Sequence, residues 1–314
     1  MRRIVVTLVL VLTLVPSALA ARILGVNGDR ARMHTLTGQA SDTGDAFLGW
    51  NQGFRWGGTL AHFLATRGNI PMLSLKTDKP YVGEVITPRG IAQGRGDAFL
   101  FAINRAIFEA GKTVYIRPMP EMNGYWNPYC TYNASGTRRD AAHSQAAVKN
   151  AFRRIYLILH GGAQATLNAK LSALGLPTIH RSLPVNAYPT LRVIWNPQGY
   201  GSPDLLGNRA KSYWPGGAYV DVVGDDLYFI RGKAEWPAAG ALYAAYPQKP
   251  FAFPEWGLWG VDEPSFIRQM RSFVRNHRRV EMIAFFLGKK GSIFDLATKP
   301  RSRAAYRTYI APLG

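Results

Sequence analysis

Glu121 and Glu255 are the two acidic side chains whose surroundings best suit chemistry. Each follows an apolar run of strand-like composition, Tyr115-Ile116-Arg117-Pro118-Met119-Pro120 in one case and Phe251-Ala252-Phe253-Pro254 in the other. Each precedes a stretch rich in aromatic residues: Tyr125, Trp126 and Tyr129 after the first, Trp256 and Trp259 after the second. Two carboxylates facing one cleft can cleave an acetal, one attacking the anomeric carbon and the other protonating the departing oxygen. Retention of configuration asks for a separation of about 5 to 5.5 Å. The two must sit in unlike surroundings, because the acid needs a raised pKa whereas the nucleophile stays ionised. Arg117, at period two from Glu121 along the strand, projects to the same side. It can keep a nucleophile ionised or close a barrel interior as a salt bridge, and the two roles are compatible. Taken singly, either glutamate could equally cap a following helix. The aromatic neighbours make the pair more specific, since sugar rings stack on such faces and tryptophan in glycine-punctuated loops is hard to account for as packing.

These residues need a scaffold that brings distant strand ends together. Eight strand candidates run through the chain: Ile23 to Val26, Ala46 to Trp50, Pro71 to Leu75, Thr113 to Met119, Leu191 to Trp195, Val220 to Tyr228, Phe251 to Pro254 and Met282 to Leu287. Several are apolar on both faces, as strands covered by helices should be. Helical spacing separates them. Asp97 is placed to cap a helix carrying Phe99, Leu100, Ile103, Ala106, Ile107 and Ala110 and ending at Gly111. Val148, Phe152, Ile155, Tyr156 and Leu159 mark another, stopped by Gly161-Gly162, with Arg153 and Arg154 off its apolar stripe. Pro264 opens a third, with Phe266, Ile267, Met270, Phe273 and Val274 facing inward. Eight strand-helix units predict an α/β fold, a closed (β/α)8 TIM barrel in a single domain, with strands four and seven across the mouth from one another. A doubly wound open sheet is the alternative, but Gly94-Arg95-Gly96 opens no complete dinucleotide-binding pattern.

Composition narrows the class. Arg2 and Arg3, the apolar run Ile4 to Val15 and the Ala18-Leu19-Ala20 pattern predict an export signal over residues 1–20, a catalytic domain over 21–314, and a secreted or periplasmic location. No membrane span is expected after cleavage, and a monomer is expected. The single cysteine, Cys130, excludes an intrachain disulfide, and its neighbourhood offers no catalytic histidine. The net charge of +19 is carried by scattered basic residues rather than a run, so a solvated basic surface is preferred to a nucleic-acid partner. The six histidines show no metal-ligand spacing, and Asp221, Asp225 and Asp226 lie on a strand rather than in a calcium loop, so no metal is expected.

Three blocks resemble glycoside hydrolase family 26, the β-mannanase family of a retaining (β/α)8 clan. They are Arg117-Pro118-Met119-Pro120-Glu121-Met122-Asn123-Gly124-Tyr125-Trp126, then Tyr213-Trp214-Pro215-Gly216-Gly217-Ala218-Tyr219-Val220-Asp221-Val222-Val223-Gly224, then Lys249-Pro250 leading to Glu255-Trp256-Gly257. The resemblance implies that Glu121 is the general acid/base and Glu255 the nucleophile of a retaining, endo-acting hydrolase of a β-linked polysaccharide such as β-mannan, with no cofactor. It further implies that Tyr228 holds the nucleophile by its hydroxyl and that Trp126 walls a subsite. Arg117, Asn123, Trp195, Asp226 and Trp256 complete the expected substrate-binding set, Asp226 and Trp195 on position alone. Pro120 departs from the family, which usually has histidine there, and Gly288-Lys289-Lys290-Gly291 stands where a tryptophan is often found. Two rival readings follow: a non-catalytic carbohydrate-binding barrel, and a hydrolase of a different, anionic β-glycan.

Overall fold

The computed structural model describes residues 21–54 and 58–314; the expected export signal lies outside the described residues. Eight strands form the frame: β1 Ile23–Asn27, β2 Thr43–Leu48, β3 Met72–Leu75, β4 Val114–Pro118, β5 Leu191–Trp195, β6 Val222–Phe229, β7 Phe251–Leu258 and β8 Val280–Phe286. Each pairs in parallel with the next, and β8 returns to β1, with Ile23 opposite Met282 and Asn27 opposite Phe286. Every strand expected from the sequence overlaps one of these, and the closed (β/α)8 barrel is the fold. Among the described residues no helix is long and apolar enough to cross a membrane.

The barrel interior is layered. Met72, Tyr115, Ile194, Val222, Ala252, Met282 and Ala284 form a buried cluster separate from the larger core between strands and helices. The Tyr115 hydroxyl donates to Glu281 at 2.7 Å and accepts from Arg192 at 2.8 Å, joining β4 to β8 and β5. Two residues further along β4, the inward side chain is Arg117, and there the interior turns from apolar to ionic.

β7 differs from its expected form in a way that matters. It runs to Leu258 instead of stopping at Pro254, because Trp256, Gly257 and Leu258 pair with Leu227, Tyr228 and Phe229 of β6. Between Ala252 and Glu255 three steps of β7 match two of β6, from Gly224 to Asp226, and between Phe253 and Trp256 three match two of β8. This is a bulge around Pro254, where a residue without an N–H can leave the ladder. The extra residue changes which side chains face inward. Glu255 therefore lies within a strand, and it is the one residue of β7 that is not buried.

The helical layer follows the expected spacing with three corrections. The helices used below are α1 Arg30–Thr37, α2 Leu60–Thr66, α3 Pro88–Ala92, α4 Asp97–Ala110, α5 Gln145–His160, α6 Gln164–Ala173, α7 Trp236–Ala245 and α8 Pro264–Asn276. Gly96, not Asp97, is the capping residue of α4; Asp97 sits in its first turn and takes a two-pronged ion pair from Arg154 of α5, at 2.8 and 2.5 Å. Arg154 is consequently fully buried, although its position seemed to lie off the apolar stripe. Between β5 and β6 the chain makes three short 3-10 turns in place of an α-helix. The glycines and prolines between Asn196 and Gly217 explain this, since they break a helical repeat.

Two loops over the mouth are clasped by one imidazole. A hairpin, Asp78–Lys79 with Gly83–Glu84, follows β3. His143 reaches Glu84 of that hairpin through Nε2 and Asp140 of its own turn through Nδ1, both at 2.7 Å. The hydrogen bond to Glu84 is the main reason that the His143 pKa is raised, against the pull of burial. A raised folded-state pKa adds stability that is complete below the unfolded value of about 6.5 and is lost as pH rises through the folded value. His143→Gln should therefore lower the thermal midpoint more at pH 6 than at pH 9; an equal deficit at both would mean that the charge on the imidazole contributes nothing.

Candidate active site

Arg117 organises the floor. Its guanidinium is fully buried and reaches Asp226 at 2.5 Å, Asp45 at 3.4 Å and Glu255 at 3.5 Å. Nε donates to the Asn196 side chain at 2.9 Å and Nη1 to Ser74 at 3.1 Å. Burial opposes the cation, but Asp226, Asp45, Glu255 and Glu121 outweigh it and raise the Arg117 pKa. One cation cannot neutralise three carboxylates. Burial accordingly raises the pKa of Asp45 against the opposing pull of Arg117 and Ser74, and raises that of Asp226 well above the usual range.

Glu255 is the member of this ring that solvent reaches, with its side chain 12% exposed. Tyr228 donates its hydroxyl to Glu255 Oε1 at 2.5 Å, and Arg117 faces Oε2. Burial pushes the Glu255 pKa up to about 7; Arg117 and Tyr228 pull it down, and the negative field of Glu121 pushes it up. Tyr228 is itself held by an aromatic cage of Trp259, Phe286 and Phe294, with ring centres 5.8 to 6.0 Å away.

Glu121 is positioned by a strained turn. Beyond β4 the chain passes through Met119 at φ 49° and Glu121 at φ 51°, with Pro120 between them. Left-handed backbone at non-glycine residues costs about 1–3 kcal/mol each and persists only where the surroundings hold it. They do so here. The Pro120 carbonyl accepts from Tyr129 at 2.7 Å and Asn127 at 3.3 Å, and the Glu121 N–H donates to the Asn196 carbonyl at 2.7 Å. The carboxylate accepts from Trp126 Nε1 at 2.7 Å and from Gln198 Nε2 at 2.8 Å. The Trp126 ring lies directly over Gly124, where any side chain would come within 2.5 Å of the indole.

The expected site residues divide into two groups. Arg117, Glu121, Trp126, Asp226, Tyr228 and Glu255 come together, with Arg117 and Asp226 as buried supports beneath the cleft. Trp195 and Trp256 do not belong to the cleft. Trp195 is buried against Trp214 and Tyr246 and bonds to the Tyr213 carbonyl, while Trp256 is stacked on Tyr306 and packed against Phe266 and Phe285. Strand alternation sends both to the helical side of the sheet. Asn123 is also corrected from a sugar ligand to a loop fastener, its amide bonding to the Gln198 and Tyr200 carbonyls and to the Gln198 N–H. The sequence does not single out Asp45, Ser74, Asn196 or Gln198, and it raises Asp225 only as a calcium ligand. Asn196 and Gln198 follow the end of β5, where a barrel places functional groups, and that position was the available signal. Exposed aromatic surface near Glu121 comes from Tyr125, Trp126 and Tyr200, and near Tyr228 from Trp259.

A cavity of about 510 Å³ beside the mouth, lined among others by Trp50, Phe54, Ile86, Arg95 and Phe99, includes neither glutamate. Among the described residues no group of three or more His, Cys, Asp or Glu is disposed to hold a metal ion.

Comparison with known proteins supports the architecture. No protein-family model matches the chain. A family 26 β-mannanase from Bacteroides ovatus superposes with a TM-score of 0.58 at 14% identity, over 92% of this chain and 88% of that one. A Bacillus subtilis mannanase superposes at 0.57 and 19% identity, over 92% and 85%. A Cellulomonas fimi endo-β-1,4-mannanase variant gives 0.58 and 14%, over 91% and 70%. In sequence the chain is similar to Endoglucanase H of Acetivibrio thermocellus, 22% identical over 293 residues. That match covers 88% of this chain but spans only 28% of the length of the relative.

Removing the central cation leaves its carboxylates facing one another. Arg117→Met should cost about 3–5 kcal/mol in urea unfolding, the usual result of deleting one partner of a buried charge cluster. A loss under about 1 kcal/mol would show that the three acids simply take up protons.

Proposed function

We propose that this chain is a retaining, endo-acting hydrolase of a β-linked polysaccharide, with Glu255 as nucleophile and Glu121 as general acid/base. The observation that carries the reading is the unlike treatment of two glutamates over one guanidinium. Glu255 is backed by Arg117 and held by the Tyr228 hydroxyl, while Glu121 is held by the two neutral N–H donors of Trp126 and Gln198. Cation and phenol favour the ionised form that attacks. The two neutral donors orient the other carboxyl without setting a cation beside it, which suits a group that gives up a proton to the leaving oxygen.

In this reading Glu255 attacks the anomeric carbon and Glu121 protonates the leaving oxygen, forming a glycosyl ester on Glu255. Glu121, now ionised, then takes a proton from water as it attacks, and the ester is released with configuration retained. Trp126, Tyr125 and Tyr200 offer rings for sugars on the Glu121 side. The fold likeness to several mannanases favours β-mannan as substrate. Pro120 and the similarity to a protein named endoglucanase favour a second reading, a β-glucan. The Arg2-Arg3 pair and the following apolar run support an exported enzyme.

Incubation with mannan, xylan and mixed-linkage β-glucan, scored by new reducing ends, should show one strongly preferred polymer. Glu121→Ala and Glu255→Ala should each lower turnover on it by at least 10²–10⁴-fold, roughly the contribution of a positioned proton donor, with thermal unfolding nearly unchanged. Retained turnover in either variant would overturn the assignment.

The pH profile is a separate test. With the Glu255 pKa near 7, kcat/KM should rise with pH through about 7 as the nucleophile ionises. Tyr228 donates to the ionised form, so Tyr228→Phe should move this rising limb to higher pH; a shift in the opposite direction would contradict the role of the phenol.

A further inference from the structure

We propose that Gln198 is the positioning residue of Glu121, fixing which carboxyl oxygen carries the proton. The inference deepens the acid/base reading and rests on it. Pro120 offers no side-chain donor, so the Glu121 carboxylate depends on what other residues bring to it. Two groups do so, and they differ in rigidity. Trp126 is 46% exposed and sits on the same turn as Glu121. Gln198 is 4% exposed and comes from the loop after β5.

The backbone of Gln198 is bolted on both sides. Its N–H donates to Asn123 Oδ1 at 2.8 Å and its carbonyl accepts from Asn123 Nδ2 at 3.0 Å. The following N–H, of Gly199, donates to Asp225 Oδ1 at 2.8 Å. Gly199 lies so close to Ala238 of α7 that a Cβ there would stand 2.9 Å from its backbone. The amide can therefore neither slide nor swing with its loop.

Chemistry sets the orientation of the amide. A carboxylate accepts hydrogen bonds, so Nε2 must face Glu121 Oε1. Gln198 Oε1 is then turned inward, and it has no partner among the described residues. An unpartnered buried acceptor is unfavourable, and an apolar side chain of the same length would avoid it. The arrangement makes sense if the N–H is the part that matters. Both carboxylate oxygens of Glu121 accept an N–H, Oε1 from the fixed amide of Gln198 and Oε2 from the indole of the exposed Trp126. The donor on Oε2 is the one free to give way, so that is the oxygen from which a departing sugar oxygen can receive the proton. The amide has no charge, so it orients the carboxyl without setting a cation beside it.

The test uses leaving groups of different need. Gln198→Met removes the donor at constant length, and Gln198→Glu keeps the shape but replaces the donor with an acceptor once ionised. Both variants are measured on the preferred polysaccharide, and on a 2,4-dinitrophenyl β-mannobioside or β-cellobioside, whose phenolate departs without a proton. The expected result is a fall in kcat/KM of at least tenfold on the polysaccharide, carried by kcat more than KM, with kcat/KM on the dinitrophenyl glycoside within about twofold of the unmodified enzyme. Thermal unfolding confirms folding, and the two variants guard against the failure of one. Equal losses on both substrates would assign Gln198 a merely structural role, and no loss on either would show that Trp126 suffices; each overturns the proposal. Glu121→Ala, run alongside, tests the underlying reading. If it lacks the same leaving-group dependence, Glu121 is not the acid, a failure distinguishable from that of Gln198.

Discussion

A single buried guanidinium sets the terms for everything above the barrel core. Arg117 must be charged, because its pKa lies far above any accessible pH, and a buried charge must be matched. Three strands supply the match: β2 with Asp45, β6 with Asp226 and β7 with Glu255. The excess of acids over cations is as important as the pairing. Burial raises the pKa values of Asp45, Asp226 and Glu255 against the pull of the one cation, and Glu255 is the one of the three that solvent reaches. The floor of the groove is thus an electrostatic device before it is a catalytic one.

Two different backbone features aim the two glutamates. Glu255 faces the interior because a bulge at Pro254 adds one residue to β7 relative to both neighbouring strands. Glu121 faces it because the turn after β4 passes twice through left-handed backbone, held by Tyr129, Asn127 and Asn196. Each point is a local departure from regular geometry, a register shift at the first and two left-handed non-glycine residues at the second. Such departures are expected where a site imposes geometry on a scaffold that would otherwise relax. The fold by itself carries many activities, so it is the site that supports the hydrolase reading.

The loops over the mouth are fastened to one another more than to the barrel. Asn123 ties the β4 loop to the β5 loop, Asp225 ties the latter to β6, and His143 ties the β3 hairpin to the turn before α5. Asn208 adds a further tie, donating to the carbonyls of Asn123 and Pro203. These polar fasteners are buried and nearly all satisfied, which gives irregular chain the rigidity that helices and strands obtain from their own ladders. Precise placement of Glu121 depends on this network.

The sequence by itself determined the barrel, the strand positions and the two glutamates. Strand and helix periodicities are local, and a carboxylate after an apolar run is visible wherever the run ends. Only the tertiary structure decided which neighbours serve the site. Trp195 and Trp256 read as cleft residues until strand alternation places them among the helices, and Asp97 and Arg154 read as a cap and a surface residue until two helices bring them together. Asp45 and Gln198 gave little warning, because their roles come from side chains 72 and 77 positions away. A linear pattern records what a residue is and how it alternates. It does not record which distant charge must be neutralised or which oxygen a buried amide will face, since those follow from closure of the barrel and from the low dielectric that closure creates.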